Sequence, residues 1–394
     1  MKWLSLKRAA LIFGFLILLC VAAVALFVAS EWTYIRRMRE HPANSILNVD
    51  WYRPKEAVPG IARPVALPSA EGRDPDAIGE AARLAESKNA AALLVVHNGR
   101  IVLERHWHGH RPGDWTNSAS MAKSITALLI GIALDEGKIS SLDDPAAKWI
   151  PAWRNDSRRR ITLRHLLQMH AGLKPMGEYE DPFSDASYLA LGTNSRYVVD
   201  NVPAVVEPGK RFDYNNVNFQ ALGVVLEAAT GRRYAEFLSE KLWKPIGAGD
   251  AAVWLDREGG TARAFGYIFA SPTDWARLGL LFLNEGQCEG RSVIPRSYLR
   301  EMLKPSPTEP TYGLGIWLAN DEHQRRENEA PFDAAGIFYL DGRYKQRVYM
   351  IPSHKVVIVR VGENARGWEE SALPNAVMRG LSINAVQPAA INER

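Results

Sequence analysis

The chain has 394 residues, 47% of them hydrophobic, with 48 Lys and Arg against 44 Asp and Glu and a net charge of +4. The first 40 residues account for all of that charge, so residues 41–394 are neutral and carry no concentrated basic face for nucleic acid. Of the two cysteines, Cys20 lies in an apolar N-terminal run and Cys288 stands alone in the body, which excludes an intradomain disulfide and a thiolate-rich zinc site.

Ala9 to Ser30 is uncharged for 22 residues and follows Lys2, Lys7 and Arg8. As a helix it reaches about 33 Å, enough to cross a bilayer core. Residues 1–30 therefore read as a membrane anchor or signal segment. The first reading places the chain at the inner membrane through residues 9–30, with its body on the periplasmic or extracytoplasmic side. The alternative is secretion after cleavage near Val28-Ala29-Ser30. Residues 31–85 carry scattered Pro and no sustained period, so they read as an extended spacer over the surface.

Residues 86–385 read as the globular domain, with 386–394 as a tail. Ala91 to Val96 and Ile101 to Arg105 form a strand pair around Asn98-Gly99, a dipeptide suited to a tight hairpin turn. Ser120 to Glu136 reads as a helix ending at Gly137, and its all-round hydrophobicity implies burial. Residues from about 140 to 260 are helical and loop-like, clearest at Ile161 to His170, Ala221 to Ala229 and Ala235 to Leu242. Two more helices are predicted at Asp274 to Asn284 and Pro295 to Leu303. Strands return at Gln346 to Ile351 and Lys355 to Val361, followed by a helix over Glu369 to Arg379. This order predicts an α/β (α+β) fold: one sheet assembled from N- and C-terminal strands, flanked by helices and carrying a large helical insertion.

Ser120-Met121-Ala122-Lys123 is a Ser-x-x-Lys at the start of the most apolar helix. That spacing puts both side chains on one helix face. A serine hydroxyl needs a base to become a nucleophile, and a lysine serves only if burial or nearby positive charge lowers its pKa. The spacing also fits a helix-capping Ser before a solvated Lys, but the apolar run Ile125 to Ala133 favours burial. Tyr214 and Asn216, two residues apart at a loop-to-helix junction, can face a cleft, the phenol passing a proton and the carboxamide orienting the lysine or a substrate amide. His106-x-His108-x-His110 is followed at once by Pro112-Gly113, which favours a surface loop over a zinc-binding comb.

Taken in order, Ser120-x-x-Lys123, Tyr214-x-Asn216 and a glycine near the C-terminus resemble the serine β-lactamase and penicillin-binding-protein superfamily on its class C side. Residues 161–173, 206–214 and 271–279 extend the likeness, which spans roughly residues 88 to 380 and is greatest to the 6-aminohexanoate-oligomer hydrolases and related esterases. The resemblance implies a β-lactamase/transpeptidase-like fold and cleavage of small ester or amide substrates through an acyl-enzyme, without metal or cofactor. It implies Ser120 as nucleophile, Lys123 as base, Tyr214 as proton relay, and the amides of Ser120 and Arg343 as the oxyanion hole. Where many relatives carry a basic residue before the glycine of the third motif, this chain has Leu340-Asp341-Gly342, which argues against a penicillin-like carboxylate in the substrate. Gly342 suits a close backbone approach to the acyl oxygen. Tyr179 and Asp181 lie in a loop expected to rim the cleft and touch the acyl group.

The rival readings are a DD-peptidase or β-lactamase, disfavoured by the third motif, and a catalytically silent ligand-binding domain, disfavoured by the retained Ser120, Lys123 and Tyr214. The expected partners are a small-molecule substrate and the membrane, with oligomeric state left open.

Overall fold

The structure, a computed structural model, describes residues 2–70, 78–320 and 329–385; residues 71–77 of the expected spacer and the 386–394 tail lie outside the described residues. The N-terminal part runs α1 (Lys2–Ser30), α2 (Trp32–Arg39), β1 (Lys55–Val58), α3 (Gly79–Ser87), β2 (Ala90–His97), β3 (Arg100–His106), β4 (Thr116–Asn117) and α4 (Ala122–Asp135). The middle holds α5 (Leu163–Leu167), α6 (Asp185–Leu191), α7 (Ser195–Asn201), α8 (Asn216–Thr230), α9 (Tyr234–Leu238), β5 (Ala251–Trp254), β6 (Ile268–Ala270) and α10 (Pro272–Leu283). Then come β7 (Gln287–Cys288), β8 (Arg291–Ser292), α11 (Arg296–Met302), β9 (Trp317–Leu318), β10 (Phe338–Gly342), β11 (Gln346–Ile351), β12 (Val356–Gly362) and α12 (Ala372–Ala385).

The main sheet has six strands in the order β3-β2-β12-β11-β10-β9, all antiparallel. Its N- and C-terminal strands meet where β2 pairs with β12, as the sequence order predicts. Asn98 and Gly99 turn the β2–β3 hairpin with φ of 52° and 75°, the left-handed values that an Asn-Gly turn supplies cheaply. Alternate residues feed opposite layers. Leu94, Val96, Val357 and Val359 join the core that holds α4, α8 and α10, whereas Leu93, Val95, Val356 and Ile358 join a second core with α3 and α12. A sheet covered on both faces explains why its central strands read as continuous apolar runs rather than alternating ones.

The predicted helices appear with shifted ends, and two shorten markedly: Ile161 to His170 contracts to α5, capped by Thr162, and the α-helix of Ala235 to Leu242 contracts to α9. A second, four-stranded antiparallel sheet, β1-β5-β6-β4, was not legible in the sequence. Its strands have two to four residues, too short for a period of two to register.

The spacer expected over residues 31–85 needs correcting, because much of it is built into the body. β1 pairs along its length with β5, Val58 and Tyr52 are buried, and α3 covers the main sheet. Burying Arg37 of α2 requires partners for its donors, and it finds the carbonyls of Leu191, Gly192, Asp256 and Arg53 at 2.9–3.0 Å. By contrast, Leu11–Ser30 of α1, with a mean hydropathy of 3.1, buries nothing against the body.

Candidate active site

The site forms where the two sheets approach each other at the N-terminus of α4. β4 pairs with β6, then Asn117 Oδ1 accepts from the Ala119 amide at 2.9 Å while the Ser118 amide donates to the Ile268 carbonyl at 2.8 Å. Between these anchors Ala119 adopts a φ of 45°, a left-handed conformation that a non-glycine residue holds only when its surroundings impose it. The turn delivers Ser120 to a cavity of about 480 Å³ and starts α4 immediately after it.

Lys123 lies one turn further on, 1% exposed. Its Nζ donates to Ser120 Oγ at 2.8 Å and to the Phe265 carbonyl at 2.9 Å. Burial pushes its pKa down to about 7, with the Asp341 carboxylate pulling the other way; desolvation is the larger effect. A large share of Lys123 is therefore neutral near pH 7 and able to accept the Ser120 proton. The electronic face of Tyr214 lies 5.0 Å from Nζ. Loss of hydration together with Asp341 raises the pKa of Tyr214, and the neighbouring Ser120 hydroxyl works the other way. Since 39% of the Tyr214 surface opens to the cavity, solvent moderates that rise, but the phenol stays protonated at neutral pH. It can pass a proton without serving as the resident base.

Of the two partners expected for Asn216, Lys123 or a substrate amide, the first is not met. The carboxamide does not bond Lys123; its Nδ2 donates to the Tyr179 hydroxyl, and its buried Oδ1 has no partner among the described residues. Both residues line the cavity, so Oδ1 can accept from a substrate N–H. Asp181 is also displaced from its expected place. It is exposed, lies outside the cavity lining and accepts from the Phe183 amide at 2.9 Å, because the loop uses it to close its own turn.

Gly342 closes the opposite wall. A Cβ there would sit 2.5 Å from the Ser118 carbonyl oxygen and 2.8 Å from Gln346 Cβ, so β10 can pass the Ser120 turn only with glycine at this point. Gln346 is buried and accepts from the Gly362 amide at 2.9 Å, tying the turn after Gly342 to the end of β12. Arg343 lines the cavity with its guanidinium 5.6 Å from the Tyr179 ring centre and 3.6 Å from Glu180.

Asp341 is the site residue whose role the sequence left undefined. It faces Arg347 across the β10–β11 ladder and pairs with that guanidinium, which also holds Glu370 at 2.6 Å. Burial works upward on Glu370, but Arg347 overrides it and holds the carboxyl at about 2. Burial raises the pKa of Asp341, with Arg347 pulling the other way, and 29% of its side chain is exposed where it lines the cavity. The sequence reading also missed His41, Ser45, Ile46 and Tyr52, which line the same cavity from the supposed spacer. The adjacent aromatics Trp51-Tyr52 were the available signal. The histidine motif runs off the end of β3, where His106 Nδ1 meets His110 Nδ1 at 3.2 Å.

Residues 80–373 match the Beta-lactamase family. The chain is similar to the 6-aminohexanoate-dimer hydrolase of Paenarthrobacter ureafaciens, 26% identical over 356 residues that cover 86% of this chain and 88% of the relative. Its fold is similar to that of a provisionally assigned 6-aminohexanoate-dimer hydrolase from Bacillus anthracis, with a TM-score of 0.72 and 24% identity over 86% of this chain and 92% of the other. An octameric penicillin-binding protein homologue from Pyrococcus abyssi aligns with a TM-score of 0.59 and 21% identity, over 77% of this chain and 75% of its own. The mixed fold with antiparallel sheets is the one that the sequence resemblance implied.

Proposed function

From the premise that the chain belongs to the Beta-lactamase family, a family of serine hydrolases, we propose that it cleaves esters or amides of small acyl groups through an acyl-Ser120 intermediate while held at a membrane by α1. The observation that carries this reading is the buried Lys123, with Nζ 2.8 Å from Ser120 Oγ and a pKa near 7.

In the first half-reaction neutral Lys123 takes the Ser120 proton as Oγ attacks the carbonyl carbon. The oxyanion is held by the amides of Ser120 and Arg343, the first of them at the N-terminus of α4, where the helix dipole favours negative charge. The bond to the leaving group then breaks, and that group takes the proton back through Tyr214. In the second half-reaction water attacks the acyl carbon and gives a proton to Lys123, which returns it to Ser120 Oγ as the acyl–oxygen bond breaks and the acid leaves. Asn216 Oδ1 can hold the N–H of an amide substrate until the amine leaves.

Asp341 stands at the place in the third motif where a cation would suit a substrate carboxylate, which favours uncharged acyl substrates over penicillins. A lost charge-assisted hydrogen bond is worth about 10- to 150-fold in specificity. The experiment is fluorophosphonate labelling with peptide mapping, followed by p-nitrophenyl acetate and nitrocefin kinetics. The expected adduct is on Ser120, with the ester preferred. An adduct on another serine, or comparable specificity constants for the two substrates, would overturn the corresponding part of the reading.

A further inference from the structure

The eight residues of α2 divide cleanly between two faces. Tyr34, Arg37 and Met38 turn inward: Tyr34 is buried with its hydroxyl donating to the Pro182 carbonyl at 2.6 Å, and Arg37 holds the carbonyls named above. Trp32, Arg36 and Arg39, spaced i, i+4 and i+7, are exposed on one outward stripe, with Trp32 50% exposed. This stripe begins two residues after the apolar span Leu11–Ser30 ends. An aromatic and two cations directly beyond a span are the residues that sit among lipid headgroups.

The inward face leads to the active site by two routes. Along the chain, α2 is followed by His41, Ser45, Ile46 and Tyr52, all in the cavity wall. Across space, Tyr34 grips Pro182 in the loop whose Tyr179 lines the cavity and whose Glu180 meets Arg343. In the same loop Phe183 is 92% exposed, beside the residue that α2 holds. Ser30 to Tyr34 is about 6 Å of helix, and Pro182 to Tyr179 spans at most about 11 Å of chain. The cavity rim thus lies within a few tens of ångströms of the bilayer surface on a docked arm rather than a loose tether.

We propose that α2 lies against an anionic bilayer surface through Trp32, Arg36 and Arg39, and that the cavity takes its substrate from that surface, an amphiphilic ester or amide partitioned into the membrane. This rests on the serine-hydrolase reading above and, for the same site, extends its acyl group from small to long-chain. The wall built by residues 41–52 meets the polar end that carries the scissile bond, while the apolar end of the substrate trails past Phe183 toward lipid.

The test uses the full chain reconstituted in vesicles of phosphatidylcholine and phosphatidylglycerol. Two substrates are compared: p-nitrophenyl palmitate, which partitions into the bilayer, and p-nitrophenyl acetate, which does not. Two surface cations next to anionic lipid are together worth about 30-fold in association. The triple variant Trp32→Ser/Arg36→Glu/Arg39→Glu should therefore lower palmitate turnover by about that factor and leave acetate turnover within about twofold. The milder Arg36→Gln/Arg39→Gln pair should give a smaller loss in the same direction, and added salt should reproduce it in the wild type. A palmitate-to-acetate ratio unmoved by these variants or by salt would overturn the proposal, as would equal loss of both activities. A wild type that turns over neither ester would instead sink the hydrolase reading, and this inference with it.

Discussion

At the residue scale the decisive quantity is the proton on Lys123. Its pKa of about 7 lies below the ordinary lysine value because the ammonium is desolvated on an apolar helix. Acylation should therefore rise with pH through an apparent pKa near 7, in a pH–rate profile that belongs to the coupled Lys123 and Tyr214 pair. Lys123→Arg keeps the charge but cannot deprotonate, so it should remove acylation almost as fully as Ser120→Ala, by about ten-thousand-fold. Burial also has a stability cost of definite sign. Between about pH 7 and the ordinary value of about 10.4, the unfolded chain binds a proton that the folded chain has released, so stability climbs with pH across that window. A Lys123→Met variant, inactive, should gain most over the wild type below pH 7 and progressively less above it, as measured by urea unfolding at several pH values. Asp341 opposes the desolvation of Lys123. Asp341→Asn should move the acid limb of the pH profile downward, with Arg347 still held by Glu370.

At the scale of elements, the approach of β10 to the Ser118–Ser120 turn sets the width of the site. Gly342→Ala puts a methyl group 2.5 Å from a carbonyl oxygen, so strand or turn must shift. The expected stability cost is about 1–3 kcal/mol. The loss in turnover should be larger in proportion, about a hundredfold, because a displacement of about 1 Å moves Arg343 relative to Ser120. Thermal unfolding and ester kinetics on the same preparation would separate the two. Much of this geometry was legible in the sequence at its coarse level. The Ser-x-x-Lys spacing, the apolar run after it and Tyr214 mark the three side chains that meet in the cavity, since i, i+3 spacing and all-round apolarity are local properties. Asn216 was placed in the right wall, and of the two neighbours expected for it, the lysine or a substrate amide, the first makes no hydrogen bond to it. Nothing local reveals that Tyr179, 37 residues away in sequence, reaches back to it.

For the whole molecule, the packed body begins with α2, directly after the apolar helix, rather than near residue 86. A chain beginning at Glu31 should stay folded and active, since none of the span Leu11–Ser30 is buried among the described residues. One beginning at Ile78 should lose activity and solubility together, because it lacks β1, Arg37 and the cavity wall from His41 to Tyr52. Expression of the two forms with an ester assay decides this. By itself the sequence determined the apolar N-terminal run, the sheet made from both ends of the body, the buried helix that carries Lys123 just after Ser120, and the family. Each of these is written in periods and spacings within one segment. Only the tertiary structure decided which side chains share the cavity. The second sheet, the docking of α2, the Asp341–Arg347–Glu370 network and the turn made by Asp181 all depend on partners far apart in the chain. Their strands are too short and their charges too scattered to leave a local pattern, so long-range packing and the need to satisfy buried polar groups fix them.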